Sequence, residues 1–149
     1  MIRVQAEPFQ PDAELADLLA RAPGAGAAVF FVGQVRGEAG AVSTLTLDHY
    51  PAFTERGIST IVAAGEERFG WSAVSVIHRH GRLEAGEAIV FVGVAASHRR
   101  AAFEAADYLM DRLKTEAPFW KREDGPAGNR WIEPSEADRA DRARWGDGI

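Results

Sequence analysis

Two lysines stand out in this chain, because every other basic side chain is arginine. Of seventeen basic residues only Lys114 and Lys121 are lysines. Arginine is permanently charged and suits fixed anion contacts, whereas lysine releases its proton once its surroundings disfavour the ammonium, so a chain otherwise built on arginine keeps lysine where proton transfer matters. Each also has an ordinary role open to it. Lys114 could be a C-terminal cation complementing a helix dipole, and Lys121 a solvent-facing strand residue. A second group is Ser97-His98-Arg99-Arg100. It places a histidine and two arginines in the expected first turn of a helix, where unpaired N–H groups favour an anion. Arginine there opposes the dipole and calls for a negative partner, either a bound phosphate or surface carboxylates. His78 and His80 lie two apart, on one face of a strand, but no third ligand follows at zinc-site spacing, so no metal is expected.

The chemistry excluded is equally specific. With no cysteine among 149 residues there is no disulfide, thiolate ligand, cysteine nucleophile or persulfide carrier, and any sulfur chemistry needs an outside donor. A net charge of -5 speaks against a nucleic-acid partner. The longest apolar runs, Ala25 to Val35 and Ala88 to Ala96, are too short to span a bilayer, and no signal-like segment opens the sequence, so a cytoplasmic protein without membrane association is expected. Phosphate-loop, dinucleotide, Gly-x-Ser-x-Gly and His-Glu-x-x-His patterns are absent, and no cofactor is expected.

The positioning elements follow from periodicity. Strands are expected over 2–6, 26–36, 43–49, 74–79 and 89–96, and helices over 11–21 and 52–69, the second closed by Gly70. Gly81 to Gly86 reads as a turn. A long helix capped by Ser97 carries Ala102, Phe103, Ala106, Leu109, Met110 and Leu113 as its apolar stripe, with Asp107, Asp111 and Arg112 on the solvent side, and Pro118 ends it. Two short strands, 119–123 and 129–133, flank a turn at 124–128. Residues 1–134 form one domain on this reading, and 135–149 a charged tail, either a frayed surface helix or a segment ordered by a partner.

The segments Phe31 to Arg36, Leu45 to Pro51, Val76 to Arg79, Ser97-His98-Arg99 and Leu113 to Glu123 resemble, in order and spacing, the large catalytic subunits of molybdopterin synthase. The resemblance covers about residues 1 to 133. It implies an α+β fold of the α/β-hammerhead type, with amphipathic helices on a mixed, mostly antiparallel sheet. It also implies a homodimer at the centre of a heterotetramer, with a small ubiquitin-like carrier at each end. The carrier's C-terminal thiocarboxylate would deliver two sulfurs to cyclic pyranopterin monophosphate, opening the cyclic phosphate and forming the molybdopterin dithiolene. The absence of cysteine suits that scheme. Residue by residue, Lys114 and Lys121 match the family's catalytic lysines, and Arg36, His98 and Arg99 its substrate-binding positions. Gln34 and Val35 stand beside Arg36, with Gln34 where many relatives carry a lysine, while Arg122 and Glu123 fall in the same pocket. Pro118, Phe119, Trp120 and Trp131 are expected to wall a groove for the carrier tail. The alternatives are a non-enzymatic anion-binding assembly domain and, further off, a metal-dependent hydrolase built on His78 and His80.

Overall fold

The computed structural model describes residues 1–37 and 44–146. Among these described residues two four-stranded sheets and four helices form an α+β fold, in the order β1 (Ile2–Gln5), α1 (Pro11–Arg21), β2 (Ala27–Gln34), β3 (Thr44–His49), α2 (Pro51–Phe69), β4 (Ala73–Arg79), β5 (Gly81–Glu84), β6 (Ala88–Ala96), α3 (Arg99–Glu116), β7 (Phe119–Gly125), β8 (Gly128–Ile132) and α4 (Glu136–Ala143). The first sheet runs β1-β4-β6-β2 and the second β5-β3-β7-β8. Among the described residues only the β1–β4 pair is parallel; the others are antiparallel.

Strand alternation makes the first sheet the middle of three layers. Val74 and Val76 of β4 and Val90, Val92 and Val94 of β6 face Ile58, Ile61 and Val62 of α2 and Tyr108, Leu109 and Leu113 of α3. Residues of opposite parity face the other way: Ala73 and Ala95 meet Leu18 of α1, and Ile77 and Phe91 meet Phe9. Strand β4 is therefore buried along its whole length. Each fully buried aliphatic side chain contributes roughly 1.5 to 3 kcal/mol, so these two layers hold the fold together. The second sheet closes on a smaller cluster of Val35, Leu45, Leu47 and Leu83.

Several elements depart from the sequence reading. The turn expected over 81–86 is strand β5 for its first four residues. Gly81, at φ 89°, bends the chain from one sheet into the other, and the wholly buried Leu83 pairs with Leu45. Helix α3 starts at Arg99 with His98, not Ser97, as its N-cap, and no side chain caps it. Phe103, placed in the apolar stripe by spacing, is 62% exposed, and the buried face is Ala102, Ala105, Ala106, Tyr108, Leu109 and Leu113. Ser43 and the loop expected to follow Gly37 lie outside the described residues.

Asp111 and Arg112 do not face open solvent, because the C-terminal segment lies over them. Trp145 donates its indole N–H to Asp111 Oδ2 at 2.7 Å, and its ring meets Tyr108 and Phe69 edge-on at 5.4 and 6.1 Å. Arg144 pairs with Asp107 and Asp111, Arg142 with Glu116, and Arg112 with Glu116 and the Tyr108 hydroxyl. Helix α4 opens with a reciprocal capping box between Ser135 and Asp138, which satisfies otherwise orphan N–H groups at its first turn. Among the described residues no helix is long and apolar enough to cross a membrane.

Candidate active site

The two lysines meet where α3 hands over to β7. Lys114 sits in the last turn of α3, and Pro118 lacks the N–H needed to continue the helix. The chain reverses there and enters β7. Helix α2 braces the turn: Thr54, fully buried, donates its hydroxyl to the Pro118 carbonyl at 3.0 Å. A Cβ on Gly57 would stand 3.0 Å from Pro118 Cδ, so a larger residue would push α2 away. In β7, Phe119, Lys121 and Glu123 share one face by the period of two, opposite His49, Leu47 and Leu45 of β3. Lys121 thus points to the inner, apolar side of the second sheet, not to solvent. Behind it Phe119 stacks on His78 of β4, with centroids 3.9 Å apart and planes 19° apart.

A cleft of about 530 Å³ opens over this junction and gathers Gln34, Val35, Arg36, Lys114, Lys121 and Glu123. A smaller depression of about 330 Å³ continues from it toward His78, Met110 and Leu113, again touching both lysines. Six positions singled out in the sequence therefore converge, although they come from three separated segments. Within the cleft Val35 is a buried apolar wall at 3% exposure, and Glu123 accepts a hydrogen bond from Arg130 at 2.8 Å. Burial holds the Lys121 ammonium below its ordinary pKa and the charge of Lys114 pushes the same way, with Asp138 opposing. A partly desolvated amine beside a second cation can exchange a proton with a bound ligand.

Three of the expected site residues lie elsewhere. Arg122 alternates with Lys121 and projects to the outer face of the sheet, its Nε 3.3 Å from Asp124 and its guanidinium 5.8 Å over the Trp131 ring. His98 and Arg99 line a separate depression with Arg100, Phe103 and Glu104. From Arg99 to Lys114 the helix rises roughly 22 Å, so one chain does not bring these groups to the same point. The start of α3 is nevertheless fixed closely: a Cβ on Gly26 would lie 2.1 Å from the Ser97 carbonyl oxygen, so only glycine fits there. Asp138, which lines the cleft from α4, escaped the sequence reading. Its signal was the Ser-x-x-Asp spacing of a capping box at 135–138.

The histidines do not form a pair. His78 is buried, with Nδ1 2.8 Å from the Arg79 carbonyl, while His80 lies past the end of β4 against His49, ring centroids 4.1 Å apart. Among the described residues no three His, Cys, Asp or Glu side chains group as a metal site would. Burial lowers the His78 pKa to about 4, against a hydrogen bond to the Arg79 carbonyl that raises it. The native state then binds fewer protons than the unfolded chain between about pH 4 and 6.5, so stability falls as the pH falls through that window. His78 alone is expected to remove roughly 3 kcal/mol over that range. Urea midpoints at pH values across the window should show the slope in the wild type and a flatter one in His78→Leu.

A family model described as MoaE protein matches residues 4–116. The molybdopterin synthase catalytic subunit of Caulobacter vibrioides is 49% identical over 139 residues, covering 93% of each chain. The solved molybdopterin cofactor biosynthesis protein E of Burkholderia multivorans superposes with a TM-score of 0.85 at 41% identity, covering 100% of this chain and 98% of that one. A chain from the Helicobacter pylori complex of subunits 1 and 2 of molybdopterin-converting factor matches with a TM-score of 0.74 over 91% and 90% of the two chains, and at 20% identity that likeness is one of fold. The family-model match over most of the chain, with near-half identity and a fold shared nearly end to end, places the chain in the MoaE family, the sulfur-transferring catalytic subunits of molybdopterin synthase in molybdenum cofactor biosynthesis.

Proposed function

We propose that the Lys114–Lys121 cleft moves two sulfurs onto cyclic pyranopterin monophosphate, one from each of two C-terminal thiocarboxylates of small ubiquitin-like carriers that leave as carboxylates, working in the cytoplasm. The observation that carries this reading is the convergence of the chain's only two lysines on one cleft, with Lys121 desolvated. Lys121, whose neutral form burial favours, is the proton acceptor, and Lys114 at the exposed helix end stabilises negative charge developing where the carrier tail meets the pterin side chain. Arg36 and Gln34 hold the substrate from the end of β2, with Glu123 beside Lys121 and Val35 as the apolar wall. Such a cleft also needs a partner to bring the sulfur, since the chain has no cysteine. The H. pylori relative of this fold was solved in a complex of two subunits.

The carrier tail has a path to the lysines. A depression of about 540 Å³ touches Thr115, Trp120, Lys121, Trp131 and Arg139, and the rings of Trp120 and Trp131 are 47% and 58% exposed. Phe119 lines the same depression, while its ring also stacks on His78. A charge at Phe119 would therefore strike the fold as well as the groove.

The separated His98 and Arg99 are best placed by a second copy of the chain. Strand β2 is the outer strand of its sheet, and beside it Phe30, Phe31 and Phe103 are 47%, 42% and 62% exposed around an apolar hollow shared with Val29 and Met110. An exposed patch of this kind along a sheet edge marks an association surface. A two-fold axis perpendicular to α3 would set the two helices antiparallel and bring His98 and Arg99 of one copy toward the lysine cleft of the other. The phosphate would then lie between protomers.

The direct test mixes the purified chain with thiocarboxylated carrier and cyclic pyranopterin monophosphate and follows the dithiolene by its oxidised fluorescent derivative. Turnover comparable to that of an active synthase control is expected. Phosphate-ligand binding with no turnover would instead support the anion-binding assembly reading.

A further inference from the structure

The cleft has a fourth wall, the first turn of α4, and it brings a carboxylate toward the lysines. Asp138 Oδ2 accepts from the backbone N–H of Ser135 at 2.8 Å and from its hydroxyl at 2.8 Å, which fixes the carboxylate's direction. Helix α4 is in turn tied to the helix that carries Lys114, through Arg142 to Glu116 and through Arg144 and Trp145 to Asp111. A change in the seat of α4 therefore moves Asp138 relative to Lys114.

We propose that Asp138 is a positioning residue whose carboxylate, oriented by Ser135 on the α4 wall of the cleft, sets how readily Lys121 gives up its proton. This inference rests on the reading of the lysines as the reacting groups. Other charges reach the cleft as well: Arg36 after β2, Glu123 from β7, Arg130 from β8 and Glu133 before α4, with His78 of β4 behind Lys121. Glu123 is engaged by Arg130, and His78 is neutral above about pH 4. Asp138 differs in that it responds to both lysines: burial alone would raise its pKa, and the Ser135 hydrogen bonds with the charges of Lys114 and Lys121 hold it below the ordinary value. Two cations in one pocket repel, and a fixed carboxylate offsets that repulsion, keeping an amine from being neutral at all times.

Because the chain has only two lysines, labelling lysine with ¹³C at Cε gives two side-chain signals whose titration midpoints can be read in the intact protein without substrate. Removing a nearby negative charge favours the neutral amine, so Asp138→Asn should lower the Lys121 midpoint by about 0.5 to 1 pH unit, roughly a three- to tenfold change in its ionisation constant. Asp138→Glu should restore most of it. Ser135→Ala, which weakens the cap but keeps the carboxylate, should shift it less. An unchanged Lys121 midpoint in Asp138→Asn, or an equal shift in Ser135→Ala, would overturn the proposal. In turnover, the lysine-dependent limb of the kcat profile should move to lower pH in Asp138→Asn by the same amount. A wild-type protein without turnover would defeat the sulfur-transfer reading while leaving the lysine midpoints to decide this one.

Discussion

Lys114→Ala is expected to lower turnover by about 10² to 10⁴-fold, the range spanned by losing a group that transfers a proton or stabilises charge in the transition state. The protein should stay folded. Lys114 is exposed in the last turn of α3, and a C-terminal cation there contributes only about 0.3 to 1 kcal/mol. The loss should fall on kcat more than on KM, because Arg36 and Gln34, the proposed substrate contacts, still line the cleft. Lys121→Met is the companion experiment. It keeps an apolar stem opposite Leu47 of β3 and removes the amine, so an inactive, folded Lys121→Met places the proton step on β7. Steady-state dithiolene formation with thermal unfolding of each variant checks both. A folded Lys114→Ala with wild-type kcat would keep the family and remove this residue from the chemistry.

Much of the site is legible in the sequence because its members are rare or sit at element ends. The lysines stand out against a background of arginine, Arg36 follows an apolar strand, and Pro118 marks where a helix must stop. That apolar run reads as a strand buried on both faces, yet β2 is an edge strand with Phe30 and Phe31 exposed. The α+β class is what the family resemblance implies, and periodicity places the individual strands and helices within it. What the sequence hides is mostly tertiary. Phe103 has the spacing of a core residue, yet it faces outward, because α2 and the sheet cover the neighbouring stripe through Ala105 and Tyr108. Leu83 lies between two glycines and reads as part of a turn, but its burial against Leu45 makes a strand. Asp111 and Arg112 look solvated until Trp145 and Arg144 from the far end of the chain fold over them. Arg122 and Lys121 are adjacent letters with opposite fates, since one residue along a strand reverses the side chain.

The distance along α3 leads to the second large effect. His98 and Arg99 resemble phosphate-binding positions, yet roughly fifteen helical residues, about 22 Å, separate them from Lys114. A substrate whose reacting carbons neighbour its phosphate cannot be held at one end of α3 and processed at the other. If the phosphate contacts come from the second copy, Arg99→Ala and Lys114→Ala should each be nearly inactive alone and should recover activity when mixed. Random reassortment puts half the dimers in the mixed form, each with one intact site and one doubly defective site, so an equimolar mixture should regain roughly a quarter of wild-type turnover. The mixture must be dissociated and reassociated first, and a tagged copy confirms the mixed dimer. No recovery after confirmed reassortment would mean that each chain uses its own His98 and Arg99, and the phosphate would then have to bind away from the lysine cleft. Recovery near a quarter would locate the active site between protomers, and would explain why the cleft of a single chain has lysines at one end of α3 and its anion-binding turn at the other.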